Sequence, residues 1–144
     1  MDESFTPANS EDGEELFLNG IFEFNISKMI EFIQNNEQKI PLEEIDVKGY
    51  HEEAFSNVNE SYIDNVDINS PIILIELNPD RFTVVDGHHR LAKAYRNGVN
   101  TIMAYKLTVK QHIQFLTTVR GYRAFIDYWN EKVSHNERNT KLKR

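Results

Sequence analysis

The sequence contains no cysteine. That absence excludes a disulfide scaffold, a thiolate zinc site and a thiol nucleophile, and it is compatible with a reducing compartment, so a cytoplasmic location is expected. Basic residues are missing from the first fifteen positions, MDESFTPANSEDGEE, which carry only acids. Without a basic n-region or an apolar h-region this start does not read as a secretory signal. Nowhere does an apolar run approach the length of a membrane span, so no membrane partner is expected. Positive charge is scarce throughout: 16 lysines and arginines face 23 acids, for a net charge of −7. Broad nucleic-acid binding needs clustered cations to neutralise phosphate, and DNA is therefore not an expected partner.

What is present fits one globular unit. The 144 residues are 40% hydrophobic and 27% charged, enough to bury a core without staples. Residues 1–15 read as a disordered acidic arm, and residues 138–144, RNTKLKR, as a basic tail. Segment 16–38 reads as a hairpin and helix. In it, Asn19-Gly20 lies between short apolar runs, as in a type I′ turn, and Met29, Ile30 and Ile33 then fall on one helical face. Residues 39–107 form the core of the domain: IPLEEIDV is a strand and turn, PIILIEL and RFTVV are two strands, and TIMAYKL is a third. The stretch between Lys48 and Asn69 is polar and aromatic, and suits loops with one short helix. A helix is predicted over 88–96, closed by Asn97-Gly98. Segment 108–144 opens on a Thr108–Gln111 capping box and continues as a long helical region, with Val109, Ile113, Leu116 and Val119 on one face and Gly121 as its break. The order defines an α+β fold, a small mixed β-sheet with flanking helices.

Ionisable residues crowd at one strand-to-helix corner, VVDGHHRLAKA over 84–94. A helix starting near His88 leaves its first amides unpaired, and the aligned peptide dipoles favour an anion there. Gly87 removes a side chain where the backbone turns and where a ligand can come close. Arg90 can bind phosphate with a planar two-pronged donor set, and His88 and His89 can donate hydrogen bonds or exchange protons near neutral pH. Asp86 is open to several roles: magnesium ligand, general base, partner that orients a histidine, or simply a helix cap paired with Arg90. Adjacent histidines also suggest a metal, but consecutive helical residues point in different directions, which disfavours zinc.

At Gly87-His88-His89-Arg90, followed by Leu91-Ala92-Lys93-Ala94 and by Gly98, the sequence resembles the ParB/sulfiredoxin superfamily, whose shared element is a strand, a G-x-x-R turn and a helix that holds nucleotide phosphates. IPLEEIDV and SPIILIEL resemble the flanking family strands, so the similarity spans residues 39–107. His88 stands where sulfiredoxins carry their catalytic cysteine, so that chemistry is not open to this chain. Partition proteins have glutamate and arginine at the positions of His88 and His89 and continue into a DNA-binding domain, for which little room remains after residue 107. The DGHHR form looks most like the free-serine kinase branch. That resemblance implies nucleotide phosphates (ATP, ADP or CTP) held by Gly87, His88, His89 and Arg90, with Mg2+ at Asp86 and a small alcohol as acceptor. It implies catalytic roles for Asp86, His88 and His89 and for one earlier carboxylate. Glu43, Glu44, Glu52 and Glu53 are the candidates for this acid, and Glu44 ranks first because it follows the first family-like strand.

Two functions follow as expectations. One is a phosphotransferase or nucleotide hydrolase acting through the corner, an ATP- or ADP-dependent small-molecule kinase or NTPase. The other is a non-catalytic nucleotide-sensing module that engages a protein partner or a second copy. Tyr122, Phe125, Tyr128 and Trp129 could supply a partner surface or pack onto the sheet.

Overall fold

The computed structural model describes residues 2–50, 52 and 58–142, with side chains described up to residue 136. Along the chain lie β1 (Leu16–Asn19), β2 (Phe22–Asn25), α1 (Ile26–Asn35), β3 (Leu42–Asp46), a 3-10 turn (Val47–Tyr50), α2 (Glu60–Ile63), β4 (Ile72–Asn78), β5 (Arg81–Asp86), α3 (His88–Arg96), β6 (Thr101–Leu107), α4 (Val109–His112), a second 3-10 turn (Ile113–Phe115) and α5 (Val119–Leu142). The fold is α+β. The chain divides into two compact units: Met1–Asn35 with Glu76–Phe82 and Thr108–Arg144, and Asn36–Ile75 with Thr83–Leu107.

The second unit carries the corner. Its sheet has the order β3-β6-β4-β5, with β3 antiparallel to β6 and β4 parallel to it. Strand β4 is flanked on both sides, and Ile72, Ile73, Leu74 and Ile75 are all buried, which is why its sequence is a continuous apolar run rather than an alternation. On edge strand β3 only Ile45 is buried, and the acids at its sides keep that edge in water. Helix α3 buries Leu91, Ala92 and Ala94, and ends at Asn97 with Gly98 at φ 71°, where a side chain would be strained.

In the first unit β1 and β2 pair as an antiparallel hairpin with Asn19 opposite Phe22. The tip is therefore Gly20-Ile21, and Gly20 has φ 62°. A single positive φ at the first central position is the II′ pattern, not the I′ turn expected from Asn-Gly. Helix α1 buries Ile26, Met29 and Ile33, at the i, i+3, i+7 spacing of one face.

The C-terminal segment departs from expectation. The capping box forms, with the Thr108 N–H donating to Gln111 Oε1 at 2.9 Å, but α4 spans only Val109–His112. The chain then runs through the 3-10 turn, and Leu116 forms a β-bridge with Phe24. The break thus falls at 116–118, and Gly121 sits inside α5, where its N–H donates to Thr118 Oγ1 at 2.9 Å. Thr118 restarts the helix by accepting an amide that would otherwise be orphaned. Phe125 is fully buried, against Phe22 and Trp129, while Tyr122 is stacked on Phe5 at 4.0 Å.

The acidic N-terminal segment also makes defined contacts in this unit. The Asp2 N–H donates to the Tyr122 hydroxyl at 2.8 Å, the Ala8 N–H to the Leu116 carbonyl at 3.0 Å, and Asn25 Nδ2 to Glu14 Oε1 at 3.1 Å. Its polar composition carried no sign of these contacts.

Candidate functional site

The corner is built by close packing of backbone on side chain. Gly87 has φ 99°, and a Cβ placed there would lie 2.4 Å from Ile72 Cγ2 and 2.8 Å from Ile72 Cβ. Glycine is therefore demanded first by β4 lying underneath, and not only by an approaching ligand. Gly87 is itself the N-cap of α3, and no side chain caps the helix. Asp86 is thus not a cap. The uncapped first turn keeps the dipolar character of a helix start, the property that favours an anion.

Arg90 is held on two sides: Nη1 donates to the Pro71 carbonyl at 3.0 Å and Nη2 to Asp86 Oδ2 at 3.0 Å. The ion pair read as an alternative role for Asp86 is therefore formed. The two histidines separate. His88 is buried, and burial lowers its pKa, with the Asp86 charge opposing that shift and His89 adding to it. His89 faces outward, where its Nε2 accepts the Asn59 N–H at 2.9 Å, so the ring proton sits on Nδ1. Tyr62 meets the His89 ring edge-on at a centroid distance of 6.0 Å.

A cleft of about 290 Å³ opens at this corner, lined by Val66, Asp67, Ser70, Asp86, Gly87, His89 and Arg90. One wall is the corner; the other is the segment before β4. Helix α3 holds that segment through Lys93, whose Nζ donates to the Asp64 and Val66 carbonyls at 3.2 and 2.9 Å, and through the Arg96–Glu60 ion pair. The segment is also fixed from within, since Asn59 caps α2 and Asp67 Oδ1 accepts the Asn69 N–H at 2.9 Å. Asp67 and Ser70 were not singled out from sequence. The Asp67-Ile68-Asn69 turn before a β-branched run is the signal that marks them.

Asp86, Gly87, His89 and Arg90 come together in the cleft. His88 is buried and does not line it. Glu44 is exposed on β3, separated from β5 by β6 and β4, and does not line the cleft either. Glu43, on the same strand, pairs with Lys106 at 3.0 Å, and Glu52 is exposed outside the cleft. Glu53 lies outside the described residues. Among the described residues, the carboxylates that line the cleft are those of Asp67 and Asp86. Among the described residues no group of three or more histidines and acids could hold a metal ion.

A small mixed sheet with a strand–glycine–helix corner on its last hairpin defines an α+β domain. Residues 27–119 match the family model of the ParB N-terminal domain, which is more than half of the chain, and the protein belongs to that family. No curated protein and no solved structure gives a match. Among the described residues no helix is long and apolar enough to cross a membrane.

Proposed function

We propose that the corner cleft binds the phosphates of a nucleotide, and that the protein is a phosphotransferase or nucleotide hydrolase. The observation that carries this reading is the cleft itself. It opens at the uncapped start of α3, between Arg90 and His89 on one wall and Asp67 and Ser70 on the other. The helix amides and Arg90 would take the phosphate oxygens of ATP, ADP or CTP. Asp86 and Asp67 would hold Mg2+, which when bound neutralises charge on the phosphates. Catalysis would then rest on positioning and charge stabilisation, as in other phosphoryl transfers. His89, lining the cleft and carrying its proton on Nδ1, would donate to a phosphate or relay a proton. The DGHHR corner makes a small alcohol, as in the free-serine kinase branch, the favoured acceptor.

A second reading is a non-catalytic nucleotide sensor. It is favoured by two observations: Asp86 is tied to Arg90, and Glu44 is not in the cleft to act as a base. Calorimetric titration of ATP, ADP and CTP, with and without magnesium, into wild type and Arg90→Ala tests the shared premise. Saturable binding that is lost in Arg90→Ala is expected. Absence of binding by every nucleotide would sink both readings. Phosphate release, or transfer to serine-like alcohols, then separates enzyme from sensor.

A further inference from the structure

Tyr62 stands beside the corner cleft and is largely left in water. Helix α2 is a single turn that buries Ile63, while 58% of Tyr62 remains exposed. A lone exposed ring says nothing by itself, since protein surfaces carry many. Its neighbour is what gives it meaning. The Tyr62 ring packs at 83° to the His89 ring, with centroids 6.0 Å apart, and His89 lines the cleft.

The position of this ring is fixed from both sides. Before it, Asn59 donates its N–H to His89 Nε2 at 2.9 Å, and Glu60 pairs with Arg96. After it, the Asp64 carbonyl accepts Lys93 Nζ at 3.2 Å. Helix α3 thus brings His89 and Arg90 to the cleft and also anchors the chain on either side of Tyr62. A surface ordered before its ligand arrives costs less on binding than one the ligand must order.

The cleft is small for a whole nucleotide. Its volume of about 290 Å³ lies at the bottom of the range of about 300–1,000 Å³ that encloses drug-sized ligands. Asp67, Ser70 and Asp86 line it with polar atoms rather than with a flat apolar surface. A base attached to phosphates held there must find its contact outside, and the exposed ring next to His89 is at hand.

Resting on the reading of this cleft as a nucleotide-phosphate site, we propose that Tyr62 is the platform on which the nucleobase stacks, outside the cleft and beside His89. Every base has a π-face, so such a platform takes purine and pyrimidine alike and adds affinity without reading the base edge. The ring turns a cleft for polyphosphate into a site that prefers a nucleoside polyphosphate.

Calorimetry on the full chain with ATP, CTP and tripolyphosphate tests this. Tripolyphosphate carries the phosphates without a base, so it reports on the cleft alone. Tyr62→Ala is expected to weaken ATP and CTP roughly tenfold, on the scale of removing a base-stacking ring, and to leave tripolyphosphate unchanged. Tyr62→Phe should keep wild-type affinity for all three. In Tyr62→Trp, the nucleotides but not tripolyphosphate should quench the fluorescence added over that of Trp129, the single native tryptophan. Tyr62 is exposed, so the variants should fold as wild type does, and circular dichroism melts check this. Equal weakening of all three ligands in Tyr62→Ala would reduce the residue to a support for the wall and overturn the proposal. Unchanged nucleotide binding would overturn it as well. Either result leaves the phosphate reading of the cleft standing. Failure of tripolyphosphate and both nucleotides to bind wild type would remove that reading, and the stacking proposal with it.

Discussion

Arg90 Nη2 lies 3.0 Å from Oδ2 of Asp86, four residues earlier in the chain, and the two side chains are only 20% and 19% exposed. The carboxylate occupies a guanidinium donor that a phosphate oxygen would use. An anion entering the cleft must therefore compete with Asp86 for Arg90, and a cation arriving with it gives the released carboxylate a new partner. Asp86→Asn is expected to strengthen magnesium-free binding of pyrophosphate roughly tenfold, about 1.4 kcal/mol, and to lose the gain that magnesium gives the wild type. Calorimetry with and without a chelator measures both. Unchanged or weaker magnesium-free binding in Asp86→Asn would show that the pair does not gate the anion.

Gly87 is pinned by two independent constraints, its φ of 99° and the Ile72 Cγ2 atom, which a Cβ at this position would meet at 2.4 Å. Alanine there pays the left-handed backbone strain and overpacks the β4 contact, for a loss of about 2–4 kcal/mol in urea unfolding. Ile72→Ala is itself destabilising because Ile72 is fully buried, but it removes the Cγ2 clash while leaving the Cβ contact and the strain, so Gly87→Ala should cost less in that background than in wild type without becoming neutral. Full stability in Gly87→Ala would mean that the corner moves freely.

Much of this corner was legible beforehand. The β-branched runs marked β4, β5 and β6, and Gly87 and Gly98 bracketed a helix found at the expected residues, His88–Arg96. The inward turn of His88 was legible too, though not drawn: Leu91 and Ala92, at i+3 and i+4, place His88 on the buried face, and His89 points away. What could not be read was contact across long sequence separation. Nothing local announces that Ile72 lies under Gly87, or that Asp67 and Ser70 face Arg90 across a cleft. The helix break at 116–118 was hidden for the same reason, because Leu116 leaves its helical periodicity to bridge Phe24. A glycine at position 121 was the wrong punctuation, since it occupies the first turn of α5, where Thr118 accepts its amide.

Lys93 is a positioning residue for the far wall of the cleft. Its two bonds to the Asp64 and Val66 carbonyls hold the chain just before Asp67, and it does not itself line the cleft. Lys93→Met keeps the aliphatic stem and removes only those bonds. The expected result is faster amide exchange over residues 64–69 and nucleotide binding weakened several-fold, with global stability lowered by about 1 kcal/mol. Arg96→Ala, which breaks a more exposed tie to the same segment, should weaken binding much less than Lys93→Met. Equal effects of the two substitutions would indicate general loosening of α3 rather than support of the wall by Lys93.

His112 is fully buried between Phe24 and Phe125, at ring distances of 5.4 and 5.5 Å, and its Nε2 donates to the Glu76 carbonyl at 2.6 Å. Nδ1 is buried without a hydrogen-bond partner, so a second proton would find no acceptor. Burial accordingly pushes the pKa down from 6.5 to about 4. Between those two values the unfolded chain binds a proton that the folded chain refuses, so stability must fall as the pH drops through this window. The loss amounts to about 3 kcal/mol at most for a shift of this size. His88, whose pKa is also lowered by burial, adds in the same direction. Glu14 and Glu60, whose pKa values are lowered by hydrogen bonds, lose their stabilisation only as the pH falls from about 4.5 downward. Urea unfolding at several pH values from 7.5 to 4 should show the decline in wild type. His112→Phe keeps the ring packing but orphans the Glu76 carbonyl; it should start less stable at pH 7.5 and decline less steeply. Parallel curves for the two proteins would show that His112 is not the group taking up the proton.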